Sequence, residues 1–274
     1  MESTGKTVAK AAAFLMLTII ISRVLGFVRE AVLYSALGQN YITDAYRAAF
    51  SIPDFVYMLL VGGALSSAFI PVFSGYLARN EEEAGWRAAS IVFNYMLLLL
   101  LFLILIAYLF TDSLINLLVP GLPARYADLT ASLTHIMFIQ TFFMALNGMA
   151  MGVLNSNQQF TAPAVGSVIY NVVIIVVGLI LFPSLGIRAF AYGVVIGAML
   201  NFAVQVPALK GVGIKYYFCW DLKNEGFIQI VVLMVPVLAS LGVIQLNLFV
   251  TQNLASSLGE GMVGALSLAQ KLMN

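Results

Sequence analysis

Charge is what this sequence has least of. Asp, Glu, Lys and Arg make up 9% of its 274 residues, against about a quarter in ordinary water-soluble domains. So few charges cannot build a polar shell, and lipid must be the solvent for much of the surface. Cysteine is reduced to Cys219, which excludes an internal disulfide and a cysteine-based zinc cluster and reads as a small residue near a membrane interface. Histidine is also single: His135 stands near the outer start of an apolar stretch with no acid or metal partner nearby, and a structural role is expected for it. No H-E-x-x-H, G-x-S-x-G or P-loop pattern occurs, so nothing resembles a catalytic set and no metal or cofactor is expected. The formal net charge of +1 gives no hint of a nucleic-acid partner. The first apolar segment runs past Ile21 without an A-x-A-like cleavage site, so it reads as a retained helix.

What the chain has in excess is apolar residues, 62% of the total, with a mean hydropathy of +0.99. A spanning helix needs about 20 of them in succession. The clearest run is Ile91–Phe110, uncharged and with Asn94 as its only amide. Similar runs follow at 131–154, 164–183, 189–209 and 227–254. Two earlier ones, 10–37 and 45–77, are as long but carry charges. Seven spans result, and an eighth begins near Gly261 and stops at Asn274, too short to cross, so it reads as re-entrant or unfinished. The fold class expected is all-α, a polytopic transmembrane helical bundle. With the amino terminus inside, the inner segments hold Lys6, Lys10, Arg79, Arg87, Lys210, Lys215 and Lys223, and the outer loops only Arg125 and Arg188; that asymmetry sets the expected orientation. Glu81, Glu82 and Glu83 read as a solvated helix start. Gly62 with Gly63, Gly148 with Gly152, and Gly193 with Gly197 suit close helix packing, and Pro53, Pro71, Pro163 and Pro236 invite bends.

The informative residues are charges inside apolar runs: Arg23, Arg29 and Glu30 in the first, Arg47 and Asp54 in the second, Lys271 in the eighth, with Asp44 at the mouth of the second. A charge at the centre of a span costs at least ~2.5–3.5 kcal/mol, so these side chains should face a bundle interior or a wet cavity. Arg23 and Glu30 are seven apart and share a helix face, whereas Arg29 is six from Arg23, roughly 120° away on a straight helix. A regular helix does not aim both arginines at one point; unwinding at Gly26 would let them converge. The plainer alternative has Arg23 snorkelling to an interface and Arg29 paired with Glu30 or Asp44. A basic cavity within a bilayer suits an anionic, lipid-linked substrate, because guanidinium grips phosphate with a planar fork.

The run Ser22-Arg23-Val24-Leu25-Gly26-Phe27-Val28-Arg29-Glu30 resembles the first-helix signature of the MurJ/MviN lipid II flippase family, within the wider group of multidrug and polysaccharide exporters. Thr43-Asp44-Ala45-Tyr46, Ala49-Phe50-Ser51-Ile52-Pro53 and Gly63-Ala64-Leu65-Ser66-Ser67-Ala68-Phe69-Ile70-Pro71 resemble its next signatures. Gly152-Val153-Leu154-Asn155, Ala162-Pro163, Asn171 and Ala269-Gln270-Lys271-Leu272-Met273 follow in order. The resemblance implies two pseudo-symmetric lobes, of which residues 1–209 would form the amino-terminal six-helix lobe, 210–226 a cytoplasmic inter-lobe linker, and 227–274 the start of the second lobe. Leu25-Gly26-x-Val28-Arg29 is echoed by Leu241-Gly242-x-Ile244-Gln245.

By position, the resemblance makes Ser22, Arg23, Arg29 and Asp44 cavity residues, with Glu30 an acid beside them. Arg23, Arg29 and Lys271 would bind pyrophosphate, with Ser22 and Arg47 beside it. Asp44, Glu30 and Asp54 would gate the site or pair with its cations. Lys271 stands where the family usually has arginine, and so keeps the charge without the fork. Asp54 stands where many members have asparagine; Tyr57 and Met58 replace a basic pair and Gly62 an acid; Arg47 has no counterpart. The implied activity is translocation of lipid II, the lipid-linked peptidoglycan precursor, across the bacterial cytoplasmic membrane by alternating access. It would be a transporter and not an enzyme, driven by membrane potential or an ion gradient. Its partners would be an anionic lipid-linked substrate and membrane lipid, with no nucleic acid and no obligatory protein partner for a full-length chain. Three alternatives stay open: export of another lipid-linked saccharide, export of a drug, and a non-transporting membrane scaffold if the chain ends at Asn274.

Overall fold

The computed structural model describes residues 2–62 and 65–273, with side chains described over 13–61 and 67–271. Lys6, Lys10, the Gly62–Gly63 pair, the Gly63-to-Ser66 part of the third signature, Leu272 and Met273 therefore lie outside the described side chains. Among the described residues every regular element is helical. The order is α1 (Glu2–Leu37), α2 (Tyr41–Tyr57), two π-helical segments (Met58–Gly62 and Leu65–Phe69), α3 (Ile70–Ala78), α4 (Glu82–Leu109), α5 (Thr111–Leu118), α6 (Ala124–Ser156), α7 (Thr161–Leu185), α8 (Arg188–Gly211), α9 (Glu225–Ser256) and α10 (Met262–Met273). Five of them, α4, α6, α7, α8 and α9, are long and apolar enough to cross a bilayer.

The second run differs from a single span. After α2 the chain widens into the two π segments and resumes as α3, so the 45–77 stretch is an interrupted helix. Pro53 lies inside α2 and Pro71 at the start of α3, and proline removes a donor that a tight α ladder needs. Gly26 does the opposite of what the sequence suggested: α1 is one unbroken α-helix through it.

Without a hydrophobic driving force between helices in lipid, close packing carries their association. The α7–α8 pair illustrates this. A Cβ on Gly193 would lie 3.1 Å from the Ile174 carbonyl, and one on Gly197 3.0 Å from the Tyr170 carbonyl. The Gly193–Gly197 spacing thus lets α8 press on α7 at the turn that carries Tyr170. Gly148 and Gly152 are buried in α6.

Residues 212–224 are non-helical and lie against α4. Asn94 donates to the Cys219 carbonyl at 2.9 Å and accepts from the Tyr216 hydroxyl at 2.7 Å; Tyr95 donates to the Trp220 carbonyl at 2.9 Å. The one amide of the cleanest apolar run is thereby satisfied by this non-helical segment. Burial pushes the Cys219 thiol above its ordinary pKa. The acidic run opens α4 as expected, exposed, with ion pairs Arg79–Glu81, Lys215–Glu82 and Arg87–Glu83; exposed pairs of this kind contribute little. His135 stacks on Tyr108 with ring centres 4.3 Å apart.

Candidate functional site

Between α1, α2, α6, α7, α9 and α10 lies a cavity of about 560 Å³. Arg29 enters it from α1, and Arg47, Ser51, Asp54 and Tyr57 from α2. The other walls are Gln140 and Met144 on α6, Tyr170 on α7, Gln245 and Gln252 on α9, and Ser267, Gln270 and Lys271 on α10.

The charged part is organised around one carboxylate. Glu30, with 6% of its side chain exposed, forms ion pairs with Arg47 of α2 and Lys271 of α10. Arg29 donates to the same carboxylate at 3.2 Å. Three cations from three helices thus share one buried acid. The Arg47 guanidinium also lies 5.7 Å from the Tyr34 ring and 5.9 Å from the Tyr46 ring, and that of Arg29 6.0 Å from the Tyr170 ring, within the range in which a ring face attracts a cation. Asp54 is exposed to the cavity and makes no ion pair among the described residues.

Asp44 serves a different place. Its carboxylate accepts from the backbone N–H groups of Gly261 and Gly264, each at 2.7 Å. These belong to the start of α10, where backbone donors lack intrahelical partners, and an acid there also meets the positive end of the helix dipole. The Tyr34 hydroxyl and the Gln39 amide donate to the Gly264 and Gly261 carbonyls, both at 3.0 Å. The carboxyl end of α1 and the amino ends of α2 and α10 are sewn together by these bonds. The turn into α2 is fixed locally by Asn40, whose side chain caps Ile42 and Thr43 in a capping box.

Of the residues singled out from sequence, Arg29, Arg47, Asp54 and Lys271 line the cavity, and Glu30 stands directly behind three of them. Arg23 and Ser22 lie elsewhere. Because α1 stays regular, Arg23 points away from Arg29; it is exposed, and makes no hydrogen bond or ion pair among the described residues. Ser22 joins α1 to α7: its hydroxyl is 2.6 Å from that of Ser167, and Asn171 donates to its carbonyl at 3.4 Å. The glutamines Gln140, Gln245, Gln252 and Gln270 were missed. Their signal was available, since an amide in the middle of an apolar run is as conspicuous as a charge, and Gln245 and Gln252 are seven apart on one face of α9.

Among the described residues the chain is an all-helical bundle with five helices long and apolar enough to cross a membrane and a charged cavity between its helices, which places it in the class of polytopic helical membrane proteins. A family model described as Lipid II flippase MurJ matches residues 33–274. The chain belongs to the MurJ lipid II flippase family. It is 30% identical over 262 residues to the Lipid II flippase MurJ of Burkholderia cenocepacia, covering 93% of this chain and 51% of that protein. A solved structure titled Lipid II flippase MurJ, inward closed conformation, superposes with a TM-score of 0.79 at 29% identity, covering 94% of this chain and 54% of that one. An inward-facing multidrug resistance MATE transporter shares the fold, with a TM-score of 0.64 at 17% identity, covering 91% of this chain and 59% of that one. The chain spans about half the length of the curated relatives it matches.

Proposed function

We propose that this chain forms the headgroup-binding part of a flippase that moves lipid II from the inner to the outer leaflet by alternating access. The observation that carries the reading is the convergence of Arg29, Arg47 and Lys271, from three helices, on Glu30 at the wall of a membrane-embedded cavity. A pyrophosphate is the natural competitor for those cations: it brings more negative charge than one carboxylate and accepts from guanidinium forks in pairs. In the empty state Glu30 holds the cations in place and prevents unpaired charge in lipid. When pyrophosphate arrives, Lys271 leaves Glu30 for phosphate, and one of the ties between α10 and α1 is lost. The seam at Asp44 is the second fastening that must open. No enzymatic step enters this cycle. Membrane potential or an ion gradient supplies the driving force, because the sequence carries no nucleotide-binding motif.

The amino terminus faces the cytoplasm in this reading, supported by the concentration of lysine and arginine on one set of loops. The lone thiol Cys219 then reacts with a membrane-impermeant maleimide only from the inner face, slowly because of its raised pKa; labelling from outside reverses the orientation.

The test of function is genetic. Arg29→Ala in the gene for this chain abolishes rescue of a flippase-depleted cell while protein abundance stays at the wild-type level. Full rescue by that variant overturns the proposal.

A further inference from the structure

We infer that Gln140, at the middle of α6, is a specificity-determining residue that reads the saccharide bonded directly to the pyrophosphate; the inference rests on the lipid-linked substrate proposed above. Gln140 lines the cavity and is 3% exposed. Its Oε1 is sealed from solvent and has no hydrogen-bond partner. Leaving a buried amide oxygen without a donor costs about 1–3 kcal/mol, so an amide kept in that state implies a donor that arrives later. Two other buried amides have protein partners: Gln205 donates to Asn147, and Asn94 is held by the segment 212–224. Asn201 and Gln205 also carry an unpaired oxygen, but neither lines the cavity. Among the described residues Gln140 alone combines an unpaired acceptor that is sealed from solvent with a place on the cavity wall.

Its neighbours show which ligand group would meet it. The cavity is lined by the charged groups of Arg29, Arg47, Asp54 and Lys271 and by neutral amides, Gln140 and Gln245 among them. Gln245, 7% exposed, likewise has no hydrogen-bond partner among the described residues. It also stands at the position on α9 that echoes Arg29 on α1. The repeated helix pattern therefore presents a cation on one side and a neutral amide on the other. Phosphate oxygens suit the first. Hydroxyl groups, which both donate and accept, suit the second, and in a glycosylated lipid pyrophosphate the sugar is one bond away from phosphate. Turning the terminal amide, a soft torsion, suffices to present either of its polar ends.

The experiment measures binding of purified protein in nanodiscs to two probes, undecaprenyl pyrophosphate and lipid II. Gln140→Met keeps length and removes both polar ends. The expected result is about a tenfold loss of lipid II affinity, the scale of one neutral hydrogen bond in a dry site, with undecaprenyl pyrophosphate affinity unchanged. Thermal unfolding of the free variant matches wild type or rises, because no native bond is lost. Equal weakening of both probes, or no weakening of lipid II, overturns the inference. Arg29→Ala separates it from the reading beneath it, since that variant must weaken both probes alike. If Arg29→Ala weakens neither while Gln140→Met acts selectively, the phosphate assignment fails and the sugar-reading role stands. A wild-type protein that binds neither probe overturns both.

Discussion

Facing walls of one cavity are built from different chemistry. On α1 and α2 stand Arg29, Arg47 and Asp54, with Glu30 behind them; on α9 stand Gln245 and Gln252, and on α10 Gln270 beside a single cation, Lys271. On the charged wall Glu30 holds Arg29 and Arg47 while Asp54 makes no ion pair among the described residues; on the amide wall Gln252 accepts from Ser51 at 2.7 Å, and Gln245 makes no hydrogen bond among the described residues. An unpaired charge at the centre of a span costs at least ~2.5–3.5 kcal/mol, against about 1–3 kcal/mol for an unpaired amide oxygen. The first wall therefore combines structure and binding in the same atoms; the second is free to specialise in recognition.

Substitutions can break this contrast. The largest effect is expected at Glu30→Ala, which strands three cations and destabilises the protein by about 3–5 kcal/mol, read as a large fall in unfolding temperature in detergent. The double variant Glu30→Leu with Arg47→Leu should recover part of that loss. A single-variant cost below about 1 kcal/mol would mean that the charged wall is not structural. Next comes Asp44→Ala, which removes the acceptor for two α10 backbone donors and costs about 1–2 kcal/mol. It should also expose the amino-terminal end of α10, measured as faster hydrogen exchange at Gly261 and Gly264; unchanged exchange would show that this seam holds without the acid. The smallest effect belongs to Gln245→Leu, which shifts stability by no more than about 0.5 kcal/mol because no protein bond is lost. A fall comparable to that of Glu30→Ala would erase the distinction between the walls.

Much of the fold was legible because length and hydropathy suffice to mark a span: α4, α6, α7, α8 and α9 coincide with the uncharged runs. The divergence of Arg23 from Arg29 was legible too, from six residues on a regular helix; only the postulated unwinding at Gly26 obscured it. The π segments after Tyr57 were not legible, since widening of a helix is decided by what packs against it. Nor was α5, eight residues with no run of spanning length. Asp44, read from sequence as a gate or a partner for a cation, caps the start of α10, more than two hundred residues further along the chain, a pairing no local pattern encodes. The glutamine wall was overlooked because charge drew attention away from amides, although both are anomalous in the middle of an apolar run.

The interrupted second span has a consequence for how such a cavity could change shape. Wide turns at Met58–Gly62 and Leu65–Phe69 fall just past Tyr57, where the polar lining from α2 ends. A helix bends most readily where its ladder is loosest. The Tyr41–Tyr57 part of this segment could therefore keep its arginine and aspartate aimed at the cavity while Ile70–Ala78 leans, a fixed jamb and a swinging leaf in one stretch of chain.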